Sequence, residues 1–238
     1  SAPPSIVYAY GPFSDTPPAN EFTLGYWHFN ESSGTTAEDA SSNEFDGTLI
    51  DDALFGTGLY NNALYLDGEY DSVFIPTLLQ GTTTFTEVTL EAWIFLEGDS
   101  TEDQVIISGG TDGLFEFGVN SDNKVYFKAW SSTLGVEHVS SSVPISLGYW
   151  YHVAATYYEG YEIKLYLNGI PQGYEPLDPT FKLRRTTLTN CIGAGGACAD
   201  SFFNGQIDEL RISSDVLTPI NFVSRPDATY LAAVVTDS

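Results

Sequence analysis

Along most of this chain apolar residues recur at every second position, the period of a strand with one buried face. Over residues 88–96, Val88, Leu90, Ala92, Ile94 and Leu96 are apolar, while Thr89, Glu91, Trp93 and Phe95 mix polar and aromatic side chains. Tyr161, Ile163, Leu165 and Leu167 alternate with Glu162, Lys164, Tyr166 and Asn168. That run ends at Asn168-Gly169, a dipeptide suited to the two positive φ angles of a tight hairpin. Residues 114–119 and 124–130 form a second pair across Asn120-Ser121-Asp122-Asn123, and residues 149–158 read as a long, aromatic-rich strand. No amphipathic helix longer than two turns is expected. One short helical turn is predicted within residues 213–221, with Ser214 or Asp215 as its N-cap. The pattern predicts an all-β chain folded as a two-sheet antiparallel sandwich rather than a barrel.

Its 238 residues suffice to bury a sizeable core, and 42% apolar with 14% aromatic content excludes a disordered chain. Asp and Glu number 32 against 8 Lys and Arg, a formal charge of −24. So negative a surface repels phosphate backbones and anionic headgroups, which argues against nucleic acid and electrostatic membrane docking as partners. It does suit divalent cations. No window reaches the roughly 18 apolar residues of a transmembrane segment. The chain contains no Met and opens Ser1-Ala2-Pro3-Pro4, which leads us to expect a processed, exported product. Cys191 and Cys198 flank a Gly-rich span, Ile192-Gly193-Ala194-Gly195-Gly196-Ala197, able to fold back on itself. A zinc site would need four clustered ligands, and His28, His138 and His152 are scattered. A redox pair is usually spaced more tightly. A local disulfide is therefore expected, and with it an oxidising compartment.

Three segments are delimited. Residues 1–21 carry five prolines (Pro3, Pro4, Pro12, Pro17, Pro18) around a strand-like piece, Ser5-Ile6-Val7-Tyr8-Ala9-Tyr10. Residues 22–222 hold the sandwich. Residues 223–238 form a tail containing the apolar run Tyr230-Leu231-Ala232-Ala233-Val234-Val235.

Four sets of motifs within the middle segment occur in a telling order. The first is Gly25-Tyr26-Trp27-His28-Phe29-Asn30-Glu31-Ser32-Ser33-Gly34, with Asp39 and Asp46-Gly47-Thr48-Leu49 after it. The second runs from Ala63-Leu64-Tyr65-Leu66-Asp67-Gly68 to Asp71-Ser72-Val73-Phe74-Ile75-Pro76. The third is Phe85-Thr86-Glu87-Val88-Thr89-Leu90-Glu91-Ala92-Trp93-Ile94. The fourth joins Trp150-Tyr151-His152-Val153-Ala154-Ala155-Thr156, Leu165-Tyr166-Leu167-Asn168-Gly169 and Phe203-Asn204-Gly205-Gln206-Ile207-Asp208-Glu209-Leu210-Arg211-Ile212. Together they resemble the laminin-G-like branch of the concanavalin A-like jelly rolls, known from surface proteins. The resemblance implies that fold over residues 22–222. Function it leaves open, because the fold hosts lectins, adhesion modules, enzyme appendages and assembly subunits.

Alternation places Asp208 on a face with Leu210 and Ile212, opposite Glu209 and Arg211. A carboxylate on an apolar face is costly unless something satisfies it. Relatives often bind a structural calcium through the equivalent Asp, so the resemblance makes Asp208 a calcium candidate, with Asp39 and Asn43 as partners and backbone carbonyls or water completing the shell. The other reading has Asp208 accept backbone N–H groups at a strand end. Residues 67–71 and 98–103 form two acidic loops, of the kind that hold rim calcium or are simply solvated. Neither fits the twelve-residue calcium loop. Glycosidases on related folds carry their carboxylates along one strand, whereas Asp67, Glu69 and Asp71 straddle a turn. No nucleophile elbow is present, and His152 reads as packing. A non-enzymatic protein is expected. Trp27, Trp93 and Trp150 lie within the family motifs and are assigned to packing. Tyr70, Tyr126, Tyr157, Tyr158, Tyr174 and Trp130 are the aromatics that could stack a sugar, with Trp130 the first choice.

Two functions fit. One is an extracellular or cell-surface module binding glycan or a surface protein in adhesion. The other is a self-assembling subunit of a filament or surface layer, with its β-prone tails docking on neighbouring copies as added strands.

Overall fold

The structure, a computed structural model, describes residues 18–76, 85–110, 114–184 and 189–223. The two tail runs expected to pair as strands, residues 5–10 and 230–235, lie outside the described residues. In chain order the strands are β1 Thr23–Trp27, β2 Thr36–Ala37, β3 Gly47–Ile50, β4 Leu54–Thr57, β5 Asn62–Asp67 and β6 Ser72–Ile75. Next come β7 Glu87–Leu96, β8 Gln104–Gly109, β9 Phe115–Val119, β10 Val125–Ser131 and β11 Gly135–Ser140. The last are β12 Trp150–Tyr158, β13 Glu162–Leu167, β14 Ile170–Pro176, β15 Asn190–Ile192 and β16 Asn204–Ser213. They form two eight-stranded sheets. One runs β14-β13-β12-β7-β16-β5-β4, with β1 also on β16, and the other β11-β10-β9-β8-β15-β6-β3-β2. Every pairing is antiparallel. Half of these pairings join strands that are not consecutive in sequence, as a jelly roll requires.

Alternation explains the core between the sheets. Val88, Leu90, Ala92, Ile94 and Leu96 of β7 face it together with Val153, Ala155 and Tyr157 of β12 and Ile107, Phe117 and Phe127 of the opposite sheet. Each such large side chain contributes roughly 1.5–3 kcal/mol on leaving water. Leu167 pairs with Ile170 across Asn168 and Gly169, whose φ values of 51° and 74° are those of the expected two-residue hairpin. The short helix lies within the expected residues 213–221 but has a different cap. It spans Pro219–Asn221 after Thr218, because proline starts a helix well and the chain before it is held extended. Ser214 N–H donates to the Phe22 carbonyl and the Asp215 carbonyl accepts from the Thr89 hydroxyl, so neither residue caps it.

β16 carries a bulge that re-aims its acids. Asp208 pairs with Trp93 and Arg211 with Glu91, so Glu209 and Leu210 together oppose Ala92 alone. Glu209 takes φ 52°, the left-handed value that lets the strand accommodate the extra residue. Ile207, Leu210 and Ile212 therefore face the core, while Asp208, Glu209 and Arg211 all emerge on the outer face of the first sheet. The even alternation expected from sequence, with Asp208 beside Leu210 and Ile212, does not survive that extra residue.

This outer face is nonetheless covered. Tyr26, Leu59, Tyr60, Trp93 and Val223 form one small apolar cluster on it, and Ala154, Tyr166, Leu217 and Phe222 another. Beneath them lies a buried ionic group. Arg211 Nε donates to Glu91 Oε1 at 2.7 Å, His152 Nε2 lies 3.0 Å from Glu91 Oε2, and the Val223 amide donates to the same oxygen at 2.8 Å. The Arg211 guanidinium also donates to the Asn221 carbonyl at 2.7 Å, so the segment after β16 is strapped across the sheet by charge as well as by Phe222. No helix among the described residues is long and apolar enough to cross a membrane.

Candidate functional site

The two cysteines set the geometry of one rim. Ile192 faces the core, so Cys191 on β15 points outward, and its disulfide to Cys198, with Cα atoms 5.5 Å apart, folds the intervening loop onto the outer face of the second sheet. The loop is pinned at several points. Gly193 N–H donates to the Ile106 carbonyl, Gly195 N–H to the Asp200 carbonyl, and the Ser108 hydroxyl to the Ala194 carbonyl at 2.8 Å. Gly196, Ala197 and Cys198 have φ of 49°, 64° and 67°. At Gly196 a Cβ would sit 2.1 Å from the Asp200 carboxylate, so glycine is required there for space as well as for φ. The chain leaves this knot at residues 200–202.

Two more loops face it, and they are the two acidic loops singled out above. Residues 68–70 turn between β5 and β6, with Gly68 at φ 87° and Tyr70 at 68°. Asp71, buried, holds this turn by accepting the Asp67 amide at 3.0 Å and the Asp52 amide at 3.1 Å. Burial, against the pull of the Asp67 amide and with the charges of Asp67 and Asp52, pushes its carboxyl up to about 6. Residues 100–103 lead into β8, where the Gln104 side chain ties the Gly98 carbonyl to the Asn204 amide. The three loops enclose a cleft of about 560 Å³ lined by Glu69, Tyr70, Glu102, Asp103, Asp200 and Phe202, with the small residues between them. Tyr70 is 67% exposed, and its ring lies 5.3 Å from that of half-buried Phe202. An aromatic pair of this kind, held against solvent by a strained turn, has no core to fill.

Behind the cleft, β10 presents Tyr126, Lys128 and Trp130 on the outer face. Lys128 Nζ lies 2.7 Å from Asp103 and 2.8 Å from Glu116, and 4.4 Å from the centre of the Tyr126 ring. Burial weakens the Lys128 charge, but the hydrogen bonds that Lys128 donates to Asp103 and Glu116 outweigh it and hold its pKa above the ordinary value. The Tyr126 hydroxyl donates to Glu116 at 2.6 Å, and burial, reinforced by that carboxylate, keeps the phenol protonated. These groups are bonded to one another.

The residues expected to bind metal fall elsewhere. The Asp39 carboxylate accepts from the amides of Tyr26, Ser41 and Phe45 and from the Ser41 hydroxyl. Asn43 donates to the carbonyls of Thr23 and Leu24. Both close the loop after β2. Asp208, fully buried, accepts the amides of Leu59 and Tyr60 at 3.0 and 2.8 Å through one oxygen, so it and Asp39 hold different loops. Its other oxygen, Oδ1, is buried with no hydrogen-bond partner. Burial, opposed by the Tyr60 and Leu59 amides and aided by the charge of Glu209, raises its carboxyl to about 8. Among the described residues, the three acids whose oxygens approach within 4.8 Å of one another are Asp51, Asp52 and Asp71.

Trp130 is half-buried on the same face as Lys128, two residues beyond it, and does not line the cleft. Tyr126 and Tyr157 are buried, while Tyr158 and Tyr174 are exposed on the opposite sheet. Trp27 and Trp93 are buried and Trp150 packs against the outer cluster. His152 is likewise buried packing, bound to Glu91. Phe202 was not singled out from sequence, although the signal is there. In Phe202-Phe203 alternation buries the second ring and leaves the first half-buried.

An antiparallel jelly-roll sandwich with a rim cleft carrying an exposed tyrosine belongs among the lectin-like folds. The chain is a member of the concanavalin A-like lectin/glucanases superfamily, whose Laminin_G_3 model matches residues 67–220. No curated protein matches it by sequence. Among solved structures, it is similar to the binding domain of Paraclostridial Mosquitocidal Protein 1, at TM-score 0.68 and 13% identity, over 86% of this chain and 51% of that one. It resembles domain 4 of AbnA, a GH43 extracellular arabinanase from Geobacillus stearothermophilus in complex with arabinotriose, at TM-score 0.66 and 19% identity, over 85% and 96% of the two chains. The botulinum neurotoxin serotype D ligand-binding domain in complex with N-acetylneuraminic acid superposes at TM-score 0.64 and 16% identity, over 85% and 50%. The chain thus spans about half of the mosquitocidal and neurotoxin domains and nearly all of the arabinanase domain. At such identities the likeness is one of fold.

Proposed function

We propose that this chain is an extracellular, non-catalytic carbohydrate-binding module, and that the cleft bounded by residues 68–70, 100–103 and 200–202 is where it holds a sugar. The observation that carries the reading is the exposed Tyr70 ring set beside Phe202, with carboxylates around it. A pyranose or furanose ring stacks its C–H face on an aromatic plane, while acidic oxygens at the rim accept its hydroxyls. That two structural neighbours are binding domains, one of them in complex with a sugar, and that a third is an arabinanase domain in complex with arabinotriose, supports the same reading. The disulfide suits an oxidising, extracellular setting. Of the three wholly buried acids among the described residues, Glu91 and Glu209 are engaged by Arg211, His152, Tyr26 and His28, and Asp208 accepts the Leu59 and Tyr60 amides, which makes them structural rather than catalytic in this reading.

Calcium belongs to this reading at Asp208. Its buried Oδ1 without a donor is the kind of atom a cation satisfies, and backbone carbonyls and water would complete the shell. Asp39 and Asn43 would have to release their present partners to join it.

A glycan array probed with the wild-type chain and with Tyr70→Ala tests the proposal. A class of saccharide bound by the wild type should lose on the order of tenfold in affinity when the platform is cut. Binding that is unchanged in Tyr70→Ala would move the site elsewhere.

A further inference from the structure

We infer that the cleft selects its saccharide by charge: amino-bearing, basic sugars bind in preference to their neutral counterparts, and carboxylated sugars are excluded. This rests on the carbohydrate-binding reading above and names the ligand class for the same site.

The lining holds Glu69, Glu102, Asp103 and Asp200 and neither Lys nor Arg. Such a wall would be neutralised if a cation reached into it from behind. The residue placed to do so is Lys128, and its ammonium is already shared between Asp103 at 2.7 Å and Glu116 at 2.8 Å. One positive charge divided between two carboxylates leaves that group itself negative. Tyr126 adds no donor, since its hydroxyl is given to Glu116. Glu69 and Glu102 are exposed and make no ion pair among the described residues, so their charges are free to act on a ligand.

The other half of the site has the same preference. The faces of Tyr70 and Phe202 carry the negative lobe of the aromatic quadrupole, which attracts an ammonium and repels a carboxylate. The long-range field points the same way, because a chain of net charge −24 concentrates cations and depletes anions at its clefts. A sugar ring stacked on the platform therefore gains if it bears an amine near the rim and loses if it bears an acid.

The test is calorimetric titration with three probes of one length: a glucosamine oligomer, its N-acetylated counterpart and a galacturonate oligomer. The first two share a ring and differ in charge. The expected order is glucosamine, then N-acetylglucosamine, with galacturonate not bound. The gap between the first two should be roughly tenfold at low salt and should shrink as salt is raised. Glu69→Gln with Glu102→Gln, both at exposed positions, should close much of that gap by weakening the glucosamine oligomer more than the neutral one. Galacturonate binding that Tyr70→Ala abolishes, or a preference indifferent to salt and to the double variant, overturns the charge inference and leaves the carbohydrate site standing. Failure of all three to bind, in a chain that binds no other saccharide, overturns both.

Discussion

At the scale of single residues, the outer face of the first sheet shows two buried acids with opposite responses to pH. Burial favours the protonated form of Glu91, but its hydrogen bonds with His152 and the charge of Arg211 prevail and hold its carboxyl below the ordinary 4.5. A carboxylate depressed in the folded state contributes stability above its unfolded pKa and loses it as pH falls through the folded value. Acid unfolding should therefore begin below about pH 4.5, with the strap at residues 214–223 released first. Glu91→Ala, which strands Arg211 without its partner, should cost about 3–5 kcal/mol, measured by denaturant unfolding at neutral pH. Asp208 works the other way. With its carboxyl raised to about 8 from 3.8, the folded chain holds a proton that the unfolded chain has lost, so stability falls as pH rises between those values. Asp71, raised to about 6, adds to the fall only below that pH. The wild-type Tm should thus drop between pH 6 and 8, and Asp208→Asn should flatten that stretch. Calcium added at pH 8 should restore the wild-type Tm and leave Asp208→Asn unmoved. A wild type indifferent to calcium would dispose of the metal.

Among the elements, the strands were legible because a period of two is local: β7, the β9–β10 pair and the Asn168-Gly169 turn could all be read from neighbours in the chain. The bulge in β16 could not. Nothing in Asp208-Glu209-Leu210 announces a residue at φ 52°, and one extra residue reverses every later inference about which side chains share a face. That is why Asp208 was expected among Leu210 and Ile212 and is found beneath Leu59 and Tyr60. The cleft was legible only in pieces. Both acidic loops and Tyr70 stood out singly, but their meeting with residues 200–202 depends on long-range strand order and on a knot built around the disulfide. The knot itself yields a prediction. By the loop-entropy account, a bridge across seven residues of separation contributes about 2.5 kcal/mol. Cys191→Ser with Cys198→Ser should lower the unfolding free energy by about that amount, read in guanidinium. Because the Asp200–Phe202 wall springs from this loop, the same variant should also weaken saccharide binding. A variant that loses stability and binds as before would show that the wall stands without the bridge.

For the whole molecule, the sandwich divides its two outer faces between different tasks. The first sheet's face is closed by the chain's own strap and by ion pairs buried beneath it, so it has little left to offer a ligand near β7 and β16. The second sheet's face carries the disulfide knot and the cleft, with the Lys128, Glu116 and Tyr126 group as a rigid backing. Core packing holds both in register. Ile94→Ala, which empties part of the interface between the sheets, should cost about 2–5 kcal/mol without altering ligand choice. Affinity and stability are in this sense separable across the fold. The central claim is that sugar binds on the Tyr70–Phe202 platform, and a two-dimensional NMR titration with a saccharide that the chain binds tests it most directly. The account predicts amide shifts confined to residues 68–70, 100–103 and 199–202, and their absence in Tyr70→Ala. Shifts clustered on β12, β13 and β14, with residues 68–70 and 199–202 unmoved, would contradict it.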